Sequence, residues 1–132
     1  MNMAALIVSS VKINKYILIC VVFLKGVYFM RKIINKKVYD TKTAELVGEY
    51  HNGYSYRDFR YLYEGLYITK REQFFIYGEG GAMSKYSEQY GNQSTGAETI
   101  YLISKEEAYE WLSEHNELSA IEKYFPDFIQ EG

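Results

Sequence analysis

Thiol chemistry is almost absent from this sequence: its one cysteine, Cys20, lies within the first 29 of 132 residues. A lone cysteine makes no disulfide framework, and the rest of the chain carries no thiolate nucleophile, which fits a cytosolic protein. His51 and His115 are the only histidines. No His-x-x-x-His, cysteine or paired-acid motif supplies a metal site or an activated nucleophile. We therefore expect no catalytic residue, no metal and no cofactor. The single proline, Pro126, is expected to bend or stop the last helix. Repeats and low-complexity tracts are missing too. A long hydrophobic run is also lacking: the apolar core of the first segment, residues 16–24, reaches about half of the roughly 20 residues that a membrane-spanning helix needs, before Lys25 and Gly26 interrupt it.

Acid is missing from residues 1–29, which hold Lys12, Lys15 and Lys25 but no Asp or Glu. A basic start and a short apolar middle fit a secretory signal. However, no small-x-small cleavage site follows Leu24, and Ile19 before Cys20 is too large for a lipoprotein site. Lys25-Gly26-Val27 is what a purine-rich ribosome-binding run would encode at a suitable distance before Met30. Translation from Met30 is the expectation, with residues 1–29 a translated leader. A short hydrophobic anchor ranks second and a signal peptide third. On the first reading, residues 30–132 form one cytoplasmic domain with no membrane contact. Its 12 basic residues face 17 acidic ones, a balance near −5 over 103 residues, and its size suits a single self-sufficient core.

Within that domain the pattern predicts α+β: an antiparallel sheet of about 4–6 strands with C-terminal helices packed on one face. Asn35-Lys36, between two β-prone runs, predicts a first hairpin. Asp40 offers a cap for a short helical turn over residues 43–47, ended by Gly48, and Asn52-Gly53 marks a turn after a strand near residues 49–51. Bulky residues on both faces of a period-two run at 59–69, then a polar turn at 70–72 and the run Gln73-Phe74-Phe75-Ile76-Tyr77, predict a long central hairpin. Gly78-Glu79-Gly80-Gly81 is expected to end its second strand. A polar connection then runs to Glu98, long enough to be functional or disordered, before a strand at 99–103. Ser104-Lys105-Glu106-Glu107 is a capping box. Ala108, Trp111, Leu112 and His115 then form one buried stripe, and a second short helix from about Ser119 buries Ile121 and Phe125.

Several motifs carry a family resemblance. Lys32-Ile33-Ile34-Asn35-Lys36-Lys37-Val38-Tyr39-Asp40-Thr41-Lys42-Thr43-Ala44-Glu45 resembles the opening of a small, largely uncharacterised family of Firmicutes chromosomes, plasmids and phages. Asp58-Phe59, Glu64-Gly65-Leu66-Tyr67-Ile68-Thr69-Lys70, Tyr77-Gly78-Glu79-Gly80-Gly81-Ala82-Met83-Ser84-Lys85-Tyr86 and Glu106-Glu107-Ala108-Tyr109-Glu110-Trp111 continue the likeness across residues 32–128. The resemblance implies association with mobile elements and, through relatives similar to anti-CRISPR inhibitors, a protein that blocks a partner. It supplies no catalytic residue.

Three segments are candidates for contact. Glycines at 78, 80 and 81, followed by Ser84, Lys85 and Tyr86, can cradle a phosphate, although Glu79 would repel one and the order differs from a phosphate-binding loop. A bend or bulge leaving a strand is the plainer reading. Tyr61, Tyr63 and Tyr67 interleave with Arg60, a mixture suited to stacking bases, to binding protein, or simply to packing. The acidic charge near −5 weighs against nucleic acid. Glu106, Glu110 and Glu114 belong to a C-terminal region of net charge −6 over residues 104–132, able to imitate a phosphate track or merely to be a solvated helix face. The expected function is a mobile-element-associated binding protein that is not an enzyme; its most concrete version is an anti-CRISPR-type inhibitor that occupies a nucleic-acid-binding protein's surface through Tyr61, Tyr63, Tyr67, Arg60, Glu79, Lys85, Tyr86, Glu106, Glu110 and Glu114. The alternatives are a nucleic-acid-binding module using the Tyr/Arg sheet face, and an enzyme whose site includes the Gly-rich loop.

Overall fold

The computed structural model describes residues 29–132. The leader expected over residues 1–29 therefore lies outside the described residues, apart from Phe29. Strands β1 (Arg31–Ile34), β2 (Lys37–Asp40), β3 (Glu45–His51), β4 (Leu62–Ile68), β5 (Phe74–Gly80), β6 (Glu88–Tyr90), β7 (Gln93–Thr95) and β8 (Ala97–Ile103) precede helices α1 (Lys105–Glu114) and α2 (Leu118–Tyr124). The class is α+β. A four-stranded antiparallel sheet in the order β3-β4-β5-β8 is its centre, with β1–β2 and β6–β7 as separate hairpins. No helix among the described residues is long and apolar enough to cross a membrane.

Alternation along β4 and β5 sends side chains to two different layers. Tyr63, Tyr67, Phe75 and Tyr77 pack with Tyr61, Ile100 and Tyr39 of β2 under the β1–β2 hairpin. Leu66, Phe74 and Ile76 pack with Ala108, Leu112, Ile121 and Phe125 under the helices. Burying each such side chain contributes about 1.5–3 kcal/mol, so both coverings are held by core contacts. Ring geometry fixes the first layer: Tyr67 stacks on Phe75 at 5.2 Å, and Tyr39 meets that ring edge-on at 5.8 Å.

Helix α1 begins as its sequence dictates. Ser104 Oγ accepts from the Glu107 amide, and the Glu107 carboxylate accepts from the Ser104 amide. The stripe is buried at Ala108 and Leu112, while His115 stacks on Tyr50 of β3 at 4.4 Å. Pro126 opens a 3-10 turn, Pro126–Phe128, directly after α2.

Three expectations are corrected. Residues 45–47 form the start of β3, not a helical turn. Asp40 does organise one turn, accepting the Lys42 amide on its carboxylate and the Ala44 amide on its carbonyl. Pairing of β3 with β4, with a bulge between Leu46 and Gly48, then outweighs local preference. Gly78, Glu79 and Gly80 continue β5 instead of ending it, each paired to β4 and to β8. The long polar connection contains the β6–β7 hairpin, turned at Gly91, whose φ is 63°.

Candidate functional site

A charged residue inside the helix-facing layer anchors one half of the site. Glu64, on β4, has a side chain only 4% exposed. Its carboxylate accepts hydrogen bonds from the Tyr86 hydroxyl at 2.5 Å and Trp111 Nε1 at 2.9 Å, and pairs with Lys85 Nζ at 2.6 Å. Burial pushes the Glu64 carboxyl up, but the bonds from Lys85, Tyr86 and Trp111 outweigh it and hold the group below its ordinary value. Burial and the Glu64 bond push the Tyr86 phenol far above the usual range. Lys85 is pushed down by burial and more strongly up by Glu64. Lys85, itself largely exposed, and the buried Tyr86 therefore clasp the loop to the sheet through Glu64.

This clasp explains the glycines. A Cβ at Gly78 would lie 2.1 Å from Tyr86 Cζ, and one at Gly80 would lie 2.1 Å from Ser84 Oγ, so the loop over 81–87 lies directly on the strand. The amides of Gly81, Met83, Ser84 and Ser87 donate to carbonyls of Tyr61, Phe59, Gly81 and Ser84, and that of Tyr86 donates to Ser84 Oγ. Those amides are engaged in holding the loop, not turned toward a phosphate.

The hairpin-facing layer has a different polar edge. The Tyr61 hydroxyl donates to Glu79 at 2.8 Å, the Tyr63 hydroxyl donates to Glu49 at 2.6 Å, and the Tyr77 hydroxyl lies 3.0 Å from Glu79 and 2.7 Å from Glu98. Glu79 and Glu98 are direct partners across β5 and β8. Burial and both carboxylates push the Tyr77 phenol far up, so it stays neutral. The Tyr77 proton is thus shared between Glu79 and Glu98 while the Tyr61 hydroxyl also serves Glu79, and these neutral donors leave negative potential at this edge.

That edge floors a cavity of about 420 Å³ walled by Tyr56, Asp58, Phe59, Ala82 and Ser94. Tyr56 is 75% exposed, Phe59 66% and Met83 71%. The turn that carries Tyr56 and Phe59 is braced. Arg60 holds both Asp58 oxygens, at 3.0 and 2.9 Å, and lies over the Tyr54 ring at 4.2 Å. Those bonds hold the Asp58 carboxyl below its ordinary value.

The expected contact residues separate accordingly. Tyr61, Tyr63 and Tyr67 are core residues, Tyr61 only 4% exposed, so their rings offer no stacking platform. Arg60 spends its fork on Asp58. Glu79 faces the cavity, whereas Lys85 and Tyr86 serve Glu64. Glu106, Glu110 and Glu114 are exposed along α1 and are not part of the cavity. Sequence reasoning missed Glu64, Tyr77 and Glu98 as structural groups and Phe59 as an exposed ring beside the cavity. A lone carboxylate on an otherwise apolar strand was the available signal for Glu64. No groups of three or more His, Cys, Asp or Glu suited to a metal occur among the described residues. Comparison with protein-family models, curated proteins and solved structures finds no match to this chain.

Proposed function

We propose that this chain is a small binding protein, of mobile-element origin, that blocks a nucleic-acid-binding protein by occupying its surface. The observation that carries this reading is the cavity end of the sheet. Tyr56 and Phe59 stand exposed around a floor made by Glu79 and Glu98. Large exposed rings on a braced turn are what a protein contact uses as anchors, and the paired carboxylates suit an Arg or Lys side chain inserted from the partner. A protein that grips phosphates presents such cations. The family resemblance supports an anti-CRISPR-type inhibitor as the concrete version, and the exposed acids Glu106, Glu110 and Glu114 add long-range attraction to the same basic partner.

The test is capture of partners by the tagged full chain in its natural host, with nuclease added, at two salt concentrations. A nuclease-resistant protein partner retained by the wild type and lost by the Tyr56→Ala/Phe59→Ala double variant is the expected result. Equal retention by the double variant, or loss of every partner after nuclease, would contradict the reading.

A further inference from the structure

At the opposite end of the β4–β5 hairpin lies a groove of about 640 Å³, and it is basic. Two hairpin tips meet there. The β1–β2 turn brings Lys36 and Lys37, with Asn35 and Lys36 at φ 53° and 68°. The β4–β5 turn brings Lys70 and Arg71. All four are exposed, and none has an ion-pair partner within 4.0 Å among the described residues. Asp40 is the one acid lining the groove, and Arg31 pairs with it at 3.2 Å while the Lys42 amide donates to it. Four cations thus line one groove with no ion pair to any of them within 4.0 Å among the described residues, in a chain of net charge −2. Asp40 is engaged by Arg31, and Glu72 of the same turn lies outside the groove lining.

Lysines that only keep a hairpin soluble need not face a second cationic turn across a groove. Like charges brought together repel, and an anion that bridges them relieves this. We propose that this groove binds the phosphodiester backbone of a nucleic acid. Recognition is of backbone and not of bases, because the groove's one ring, Tyr39, is 6% exposed and packed on Phe75. Binding is therefore indifferent to sequence and strongly salt-dependent. The inference is independent of the protein-contact end, which shares no residue with this groove.

The test is fluorescence anisotropy of a labelled 20-base-pair duplex titrated with the full chain between 50 and 200 mM KCl. Four phosphate contacts give a log–log salt slope of about −3.6, and so a weakening of about 150-fold over that range. Lys36→Gln/Lys37→Gln and Lys70→Gln/Arg71→Gln should each lower the slope to about −1.8, with circular dichroism melting unchanged to show that each variant folds. Absence of binding at 50 mM KCl, or a wild-type slope in both folded variants, would overturn the proposal. So would binding to phosphatidylserine-containing vesicles without binding to the duplex, which would assign the groove to a membrane surface instead.

Discussion

Glu64 holds three parts of the chain with one carboxylate: the sheet that carries it, the loop through Lys85 and Tyr86, and α1 through Trp111. Because these bonds hold its carboxyl below the ordinary value, the ionised form favours the folded state. That contribution is complete above the unfolded value near 4.3 and is lost as pH falls through the lower folded value. Glu64→Gln should lower stability at pH 7 by about 1–3 kcal/mol. The deficit should shrink as pH is taken from about 5 to 3. Melting curves of both proteins across that range check it; a gap that stays constant with pH would contradict the role. The residue was visible in the sequence as a charge within an apolar strand. Its partners were not, because Trp111 lies 47 positions away and no local pattern brings it near. Tyr61, Tyr63 and Tyr67 misled for a related reason. Tyr61 and Tyr63 satisfy their hydroxyls on Glu79 and Glu49 while their rings fill a core, so aromatic density by itself does not mark a surface.

The elements that depended on local signals were legible. The Ser104 capping box, the Asn35-Lys36 turn and the two-residue period of β4 each specify their structure within a few positions. Where tertiary pairing decides, the pattern was ambiguous. Residues 45–47 had a cap before them and a glycine after them, yet β4 recruits them as an edge strand. Strands β6 and β7 are exposed at every position, so no alternation of apolar and polar residues betrays them. The glycines at 78 and 80 looked like an interruption, although their role is to let the loop over 81–87 lie flat against β5. Gly78→Ala places a methyl against the Tyr86 ring, which can yield only by lifting the loop and leaving Glu64 with fewer donors. A destabilisation of about 2–3 kcal/mol is expected, together with faster limited proteolysis between residues 81 and 96. Unchanged cleavage in that segment would show that the ring is not seated as described.

For the molecule as a whole, the central hairpin separates two ends of opposite charge. Exposed rings with paired carboxylates lie at one end and four cations lie at the other. Overall charge hid this division, since a small net value averages two strong local fields of opposite sign. The sequence reading placed contacts on Tyr61, Tyr63 and Tyr67, whose rings are buried, whereas the proposed contact is the turn before them. Tyr56 and Phe59 belong to an irregular segment, and loops on a rigid scaffold commonly carry function. If that turn is the contact surface, a partner must lie within reach of position 59 in the cell. The most direct measurement replaces Phe59 with a photo-crosslinking amino acid in the full chain and irradiates the natural host. Leu118, which is exposed at the start of α2, carries the same group as the control. The account predicts a discrete protein adduct from position 59 that survives nuclease and is weak or absent from position 118. Adducts of equal yield at both positions, or none at position 59, would contradict it.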